Sequence, residues 1–200
     1  MTTLYIIRHG QSEANAAGIL QGSQIDTPLT AKGRQQALTV RQKLAATTAI
    51  HFDLVFASPL LRAAQTAQLI APHATTIFDS RLREFDYGDW DGQLEADIHR
   101  KYSEFFDDQF NLLPGSEKLS HGEDFQTVTA RLDSFFTELA QTYPQQTLLV
   151  ASHGFTIKLM LNAVLGINHL TSLNEPLNAG LTKISLSPTS RTLLFFNQTL

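Results

Sequence analysis

Short apolar runs separated by longer segments with three- and four-residue apolar spacing set the pattern of this chain. Leu4–Ile7, Asp53–Ala57, Thr75–Phe78 and Thr147–Ala151 have the length of buried strands. After the first run, a polar, glycine-containing stretch extends to about Pro28. Thr30 can cap a helix over 31–46 with Ala37, Val40, Leu44 and Ala45 near one face. Ser58-Pro59 predicts a helix start, Ser as N-cap and Pro at the first helical position, running to about Ile70. Phe125, Val128, Leu132, Phe135, Phe136 and Leu139 mark an amphipathic helix over 123–142, followed by Pro144. A further helix spans Phe155–Leu165 with Gly166 as its stop, and Gly180–Leu186 can pair with Thr192–Phe196 across "SPTS".

The middle, 81–122, is less regular: "REFDYGDWDG" mixes aromatics and acids, "EADIHRKYSEFFDDQF" has a helical pattern, and "LLPGSEKLSHGED" reads as a loop. Strands alternating with helices predict an α/β fold, a mostly parallel sheet with helices on both faces. The expected organisation is one domain over 1–200, with 81–122 as a small helical cap inserted over the sheet.

Composition narrows the function. Of 200 residues, 42% are hydrophobic and 17% charged, which suits a packed core and not disorder. The net charge is −4 with no block of like charges, so neither a nucleic-acid partner nor an anionic membrane is expected. The chain has no cysteine, which removes disulfides, thiolate catalysis and thiolate metal sites. The first apolar run is too short for a signal peptide, and no stretch has the length of a membrane span. A soluble cytoplasmic protein is the expectation.

The chemistry lies where the runs stop. "LYII" ends in Arg8-His9-Gly10, "LVFA" in Ser58-Pro59-Leu60-Leu61-Arg62, and "LLVA" in Ser152-His153-Gly154. In open α/β sheets, ligands bind outside the C-terminal strand ends. Arg8, His9, Arg62 and His153 would meet there, and four basic groups held together call for an anion. Phosphate suits arginine's paired donors, and helix N-termini after Ser58 and Gly154 would add backbone N–H groups. A neutral histidine can attack phosphorus, whereas arginine stays protonated and can only stabilise charge. Such a site supplies its own positive charge, so neither metal nor other cofactor is expected. The leaving oxygen needs a proton, and "LREFDYGDWDG" offers Glu84, Asp86, Asp89 and Asp91, with composition choosing none of them.

"RHGQSEAN", "TPLTAKGRQQA", "FASPLLRAAQTA", "LREFDYGDWDG", "GED" and "VASHG", in this order over 4–154, resemble the histidine phosphatase superfamily, the phosphoglycerate-mutase-like branch. The resemblance implies that His9 is the nucleophile that becomes phosphohistidine and that Arg8 and Arg62 bind the phosphate. By the same resemblance Asn15, with Ser12 in its turn, contacts phosphate; Glu84 is the proton donor; and His153, followed by Gly154, is a second phosphate ligand. Gln21 and Gly22, in "LQG", match a loop bordering the pocket. The implied activity is metal-independent hydrolysis of a small-molecule phosphate monoester, with no nucleic-acid or membrane partner. His9 would be held in one tautomer by a nearby backbone carbonyl.

Two departures bear on the reading. Gln11 stands where many members have Glu, and both fit the pattern. "EFDYGDWDG" differs from the Glu-Arg-x-Tyr-Gly-x-Leu-x-Gly of the glycolytic mutases, and the chain looks shorter in its middle and C-terminal regions, which favours a phosphatase. The alternatives are a cofactor-dependent phosphoglycerate mutase and, third, a non-catalytic phosphoanion-binding module. Other residues are weighed without promotion. His121 and Glu123 match a segment that can face substrate but suit a loop and helix start. Tyr87 and Trp90 could line the opening or pack in the core. Phe105, Phe106 and Phe110 suit packing of a small helix more than an apolar cap. His51, His73, His99 and His169 have no metal-ligand spacing. Oligomeric state and the alcohol part of the ester are not legible.

Overall fold

The computed structural model describes residues 1–48 and 50–200. Six strands, β1 (Thr2–Arg8), β2 (Leu54–Ala57), β3 (Thr76–Phe78), β4 (Thr147–Ser152), β5 (Leu181–Leu186) and β6 (Arg191–Gln198), form one sheet in the order β3-β2-β4-β1-β5-β6. β1, β2, β3 and β4 pair in parallel, and β5 runs antiparallel to both β1 and β6. The fold is therefore α/β, as the alternating pattern implies.

Both faces of the central strands are apolar, and the period of two sorts their residues. Leu4, Ile6, Phe56, Leu148 and Val150 face one cluster; Tyr5, Ile7, Val55, Ala57, Leu149 and Ala151 face the other. The second cluster is closed by α2 (Ala31–Thr48) and α3 (Leu61–Ile70), through Ala37, Val40, Leu44, Ala67 and Ile70. The first is closed by α6 (Phe125–Thr142) and α7 (Gly154–Leu165). Thr30 caps α2 by accepting from Gly33 N–H at 3.0 Å. Asp124 caps α6, and Gly166 ends α7 in the left-handed conformation at φ 61°.

The sequence pattern misplaces several local features. The polar stretch before Pro28 contains a five-residue helix, α1 (Glu13–Ala17), whose start is a capping box made by Ser12 and Asn15. Such a short helix shows no apolar periodicity. Ala45 is exposed, outside the buried face of α2. Ser58-Pro59 does not open α3: the N-cap is Leu60, without a side-chain cap bond. Asp26 accepts from Leu61 N–H at 2.7 Å, while Ser58 Oγ accepts from Leu60 N–H at 3.3 Å and also has a second partner.

Within 81–122 the pattern also overreaches. The helix of "EADIHRKYSEFFDDQF" is only α4 (Glu95–Lys101), followed by a 3-10 turn at Ser103–Phe105, because Asp107 folds the chain into a turn by accepting from Gln109 and Asn111 N–H. The expected loop carries a short helix, α5 (Glu117–Ser120). Leu82, Phe85, Tyr87, Trp90, Ile98 and Leu112 of this segment join the cluster under α6 and α7.

Candidate active site

The parallel register assembles the strand ends. Arg8 on β1 lies opposite Ser152 on β4, so His9 and His153 leave the sheet side by side. Ala57 on β2 pairs with Ala151, which brings Ser58 level with them. His9, Ser58, Arg62 and His153 are all buried, at no more than 2% exposure. The two histidine rings meet edge to face, 5.2 Å between centroids.

His9 Nδ1 lies 2.7 Å from the Gly10 carbonyl. A carbonyl only accepts, so Nδ1 carries the proton and Nε2 keeps its lone pair. Arg62 Nε donates to that Nε2 at 3.3 Å. Burial, then the charges of Arg62 and Arg8, push the His9 pKa well below the ordinary histidine value, against the raising effect of the Gly10 bond. The ring is neutral and nucleophilic at neutral pH. Arg62 is aimed by backbone carbonyls, Nη2 donating to Gly22 at 2.9 Å and Nη1 to Ile25 at 3.3 Å.

His153 Nε2 pairs with Ser58 Oγ at 2.7 Å, which is where the Ser58 hydroxyl is used. Burial, followed by Arg62 and His9, lowers the His153 pKa in the same direction. Its Nδ1 is buried and has no hydrogen-bond partner among the described residues, and the same holds for Arg8 Nε. Arg8 Nη1 donates to Pro176 O at 2.6 Å and lies 3.3 Å from Glu175 Oε2. Two orphaned buried donors or acceptors beside two guanidinium groups describe a polar anion site.

Glu84 follows a 3-10 turn at Ser80–Leu82 and is 5% exposed. Its Oε1 accepts from Phe85 N–H, Thr156 N–H and Thr156 Oγ1 at 2.9, 2.9 and 2.8 Å, and its Oε2 accepts from Phe155 N–H at 3.3 Å. The first turn of α7 thus holds this carboxyl. Burial and then the charge of Glu175 raise its pKa, and the Phe85 bond, Arg62 and Thr156 oppose them without cancelling the rise. A carboxyl raised in this way is suited to hold a proton for donation.

The other residues expected at the site have separate placements. Asn15 Oδ1 accepts from Ser12 N–H and from Asn178 Nδ2, at 3.3 and 3.2 Å. Ser12 is buried, its hydroxyl 2.6 Å from the Gln21 amide, which also reaches Thr27 Oγ1 at 2.8 Å. Turned with its oxygen toward Thr27, that amide also accepts from Arg62 Nη1 at 3.3 Å. Gly22 N–H is taken by Asp91 Oδ1 at 2.7 Å, and a Cβ there would stand 2.6 Å from Phe85 O. Ser12, Gln21 and Gly22 thus form a run of contacts that ends on Arg62. At Gly154 a Cβ would stand 2.0 Å from Glu175 Oε2, so glycine is what lets the Arg8–Glu175 pair cross the start of α7.

Of the residues weighed, Trp90 is a core aromatic, 1% exposed and stacked on Tyr102 at 4.7 Å. Tyr87 belongs to that core and also lines a cavity with Phe106, Phe110 and Phe155. Phe105 packs beside Trp90. His121 pairs with Asp89 on an exposed surface, and Glu123 accepts from Asp86 N–H and Arg131, both structural uses. Among the described residues no three of His, Asp and Glu converge as metal ligands, and no helix is long and apolar enough to cross a membrane. Glu175 and Asn178 escape the sequence reading because they lie in an aperiodic return loop. Lys158 had a signal, a single cation inside the apolar run "GFTIKLMLNAVL".

Three comparisons extend this geometry. The family described as "Histidine phosphatase superfamily (branch 1)" matches residues 4–199. The chain is 32% identical over 170 residues to phosphoserine phosphatase 1 of Hydrogenobacter thermophilus, covering 84% of this chain and 78% of that protein. It is 32% identical over 187 residues to the 2,3-bisphosphoglycerate-dependent phosphoglycerate mutase of Brucella melitensis, covering 89% and 88%. Among solved structures, Bacillus stearothermophilus YhfR superposes with a TM-score of 0.87 at 28% identity, over 100% of this chain and 98% of the other.

Proposed function

The chain belongs to branch 1 of the histidine phosphatase superfamily, whose substrates are typically phosphate monoesters, and on that premise we propose that it hydrolyses such esters through a phosphohistidine on His9. The observation that carries the proposal is the fixed tautomer: Gly10 O holds the Nδ1 proton, so Nε2 meets Arg62 with its lone pair. In the proposed reaction His9 Nε2 attacks phosphorus, the ester P–O bond breaks, and Glu84 gives its proton to the departing oxygen. Water then attacks phosphohistidine, the P–N bond breaks, and the Glu84 carboxylate takes the proton back. Arg8, Arg62, Asn15, His153 Nδ1 and the Gly154 N–H at the start of α7 hold the phosphoryl oxygens. Ser12, Gln21 and Gly22 set Arg62. The chemistry uses only these side chains, and the segment 81–122 reads the alcohol part as a cap.

The test is phenyl phosphate hydrolysis in excess EDTA, with acid-labile radioactive phosphate captured on the denatured enzyme. We expect turnover to persist under EDTA and the label to vanish in His9→Ala. Undiminished hydrolysis by His9→Ala sinks the mechanism, and so does loss of activity to EDTA with recovery on adding a divalent cation. The similarity to the Brucella mutase keeps a mutase reading in view. Incubation with 3-phosphoglycerate and a trace of 2,3-bisphosphoglycerate separates the two: steady phosphate release without the 2-isomer rejects the mutase.

A further inference from the structure

Beside the strand-end cluster lies a cavity of about 390 Å³, a volume suited to a small ligand. Tyr87, Phe106 and Phe155 give it aromatic walls, and Glu95, Lys158 and Glu175 its charges. Lys158 is the unusual member. It is 1% exposed, and among the described residues no carboxylate lies within ion-pair distance of its ammonium. Among the described residues its one hydrogen-bond partner is Asn111 Oδ1 at 2.8 Å, and an ammonium has three donors. Burial pulls its pKa below that of an ordinary lysine, with Glu175 and Asp107 opposing.

This ammonium is held in place on purpose-built supports. Asp107 Oδ1 accepts from Asn111 N–H at 2.8 Å, and Oδ1 and Oδ2 both accept from Asn111 Nδ2, at 3.3 and 3.1 Å, which turns Asn111 Oδ1 toward Lys158. Phe155 lies under the ammonium, 5.7 Å from Nζ to the ring centroid. On α7, Lys158 follows Gly154 by four residues and so shares its face. Gly154 is the point where Arg8 and Glu175 cross the helix. Lys158 therefore stands about one helical turn, ~5.4 Å, along from the phosphate-binding arginine.

A buried cation without a paired anion is costly, and a ligand that brings the anion recovers that cost. Deepening the proposed function and resting on it, we propose that Lys158 binds a carboxylate on the alcohol portion of the ester, making phosphate esters of carboxylate-bearing alcohols the preferred substrates. One ammonium matches one negative charge. The facing carboxylates of Glu95 and Glu175 would repel a doubly charged second phosphate there.

3-Phosphoglycerate and glycerol 3-phosphate differ only in carboxylate against hydroxymethyl, and O-phosphoserine and phosphoethanolamine only in the carboxylate. The wild type should favour the carboxylate member of each pair by about 10- to 100-fold in kcat/KM, the range of a charged hydrogen bond. Lys158→Met should bring the ratio near one, keep phenyl phosphate hydrolysis within about threefold, and melt no lower than the wild type, since it removes a buried charge. A wild-type ratio near one, or a ratio unchanged by Lys158→Met, overturns the assignment. Calorimetric binding of the same esters to His9→Ala, with and without Lys158→Met, reads recognition without turnover. A carboxylate preference in binding with no hydrolysis of any ester refutes the phosphatase reading alone; phenyl phosphate hydrolysis with no preference refutes Lys158 alone.

Discussion

His9, Ser58, Arg62 and His153 stand on neighbouring strand ends and are almost fully buried, each fixed by a backbone carbonyl or by another member of the cluster. Across the cavity, Tyr87, His99, Phe106 and Phe110 ride on a chain of short turns and one seven-residue helix, and Phe110 is 64% exposed. A parallel ladder fixes the first group, because register sets where each strand ends. The second group is fixed by side chains packing on side chains. Substitutions in the first region should therefore affect every ester alike, and substitutions in the second should separate one ester from another. Glu84 joins the two, since the chain leading out of β3 carries it and the first turn of α7 holds it.

Glu84→Gln offers the largest effect. Its side chain keeps an acceptor for Thr156 and loses the transferable proton. For an alkyl phosphate, kcat should fall by about 10²- to 10⁴-fold, the usual worth of a general acid. For p-nitrophenyl phosphate, whose anion leaves without a proton, the loss should be much smaller. Equal losses on the two esters would assign Glu84 to phosphate binding and remove the acid from the mechanism.

Trp90→Ala asks whether the irregular region is a loose flap. Trp90 is 1% exposed, stacks on Tyr102 and touches Phe105 and Phe106. Its truncation should cost about 3–5 kcal/mol, as for other large buried aromatics. The urea midpoint should drop in a single transition with unchanged slope. A separate early transition, or no loss, would mean that 81–122 melts apart from the sheet.

The strand-end cluster was legible because each member follows an apolar run, and runs of that kind end at the same edge of a parallel sheet. Arg62 is legible for the same reason even though its helix starts later than the Ser58-Pro59 signal implies: the N-cap is Leu60, and Ser58 Oγ accepts from Leu60 N–H while also pairing with His153. The irregular region was not legible, because nothing periodic marks a chain folded by an Asx turn at Asp107 or by aromatic stacking. Glu175 is the clearest case. "LNEPLN" carries no pattern, and its carboxylate reaches the site only because the chain after α7 returns over Gly154 to enter β5.

Glu175→Gln gives a smaller effect with a definite sign. In the proposed mechanism Glu84 must be protonated to act, so activity should be lost as pH rises through its pKa. Burial and then Glu175 raise that pKa, so removing the Glu175 charge lowers it. The alkaline limb of kcat/KM should move to lower pH and cost several-fold above it. On the same mechanism the acid limb should report His9, which burial, Arg62 and Arg8 hold well below 6.5, and it should stay in place. An alkaline limb that does not move would exclude Glu84 as its source.

Phe110→Gly tests the far rim of the comparison and has the smallest expected effect. Phe110 adopts φ 61°, a left-handed conformation that disfavours residues with a Cβ, at the turn tied by Asp107. Its ring stacks on His99 at 4.7 Å with a 17° tilt. Glycine relieves about 1 kcal/mol of backbone strain and forfeits the stack, so the melting temperature should stay nearly constant. KM for bulky aryl phosphates should rise about two- to threefold, the scale of a partly exposed apolar contact, while 3-phosphoglycerate is unaffected. A change confined to 3-phosphoglycerate, with aryl phosphates unaffected, would mean that this turn acts through Asn111 and Lys158 rather than by touching the substrate.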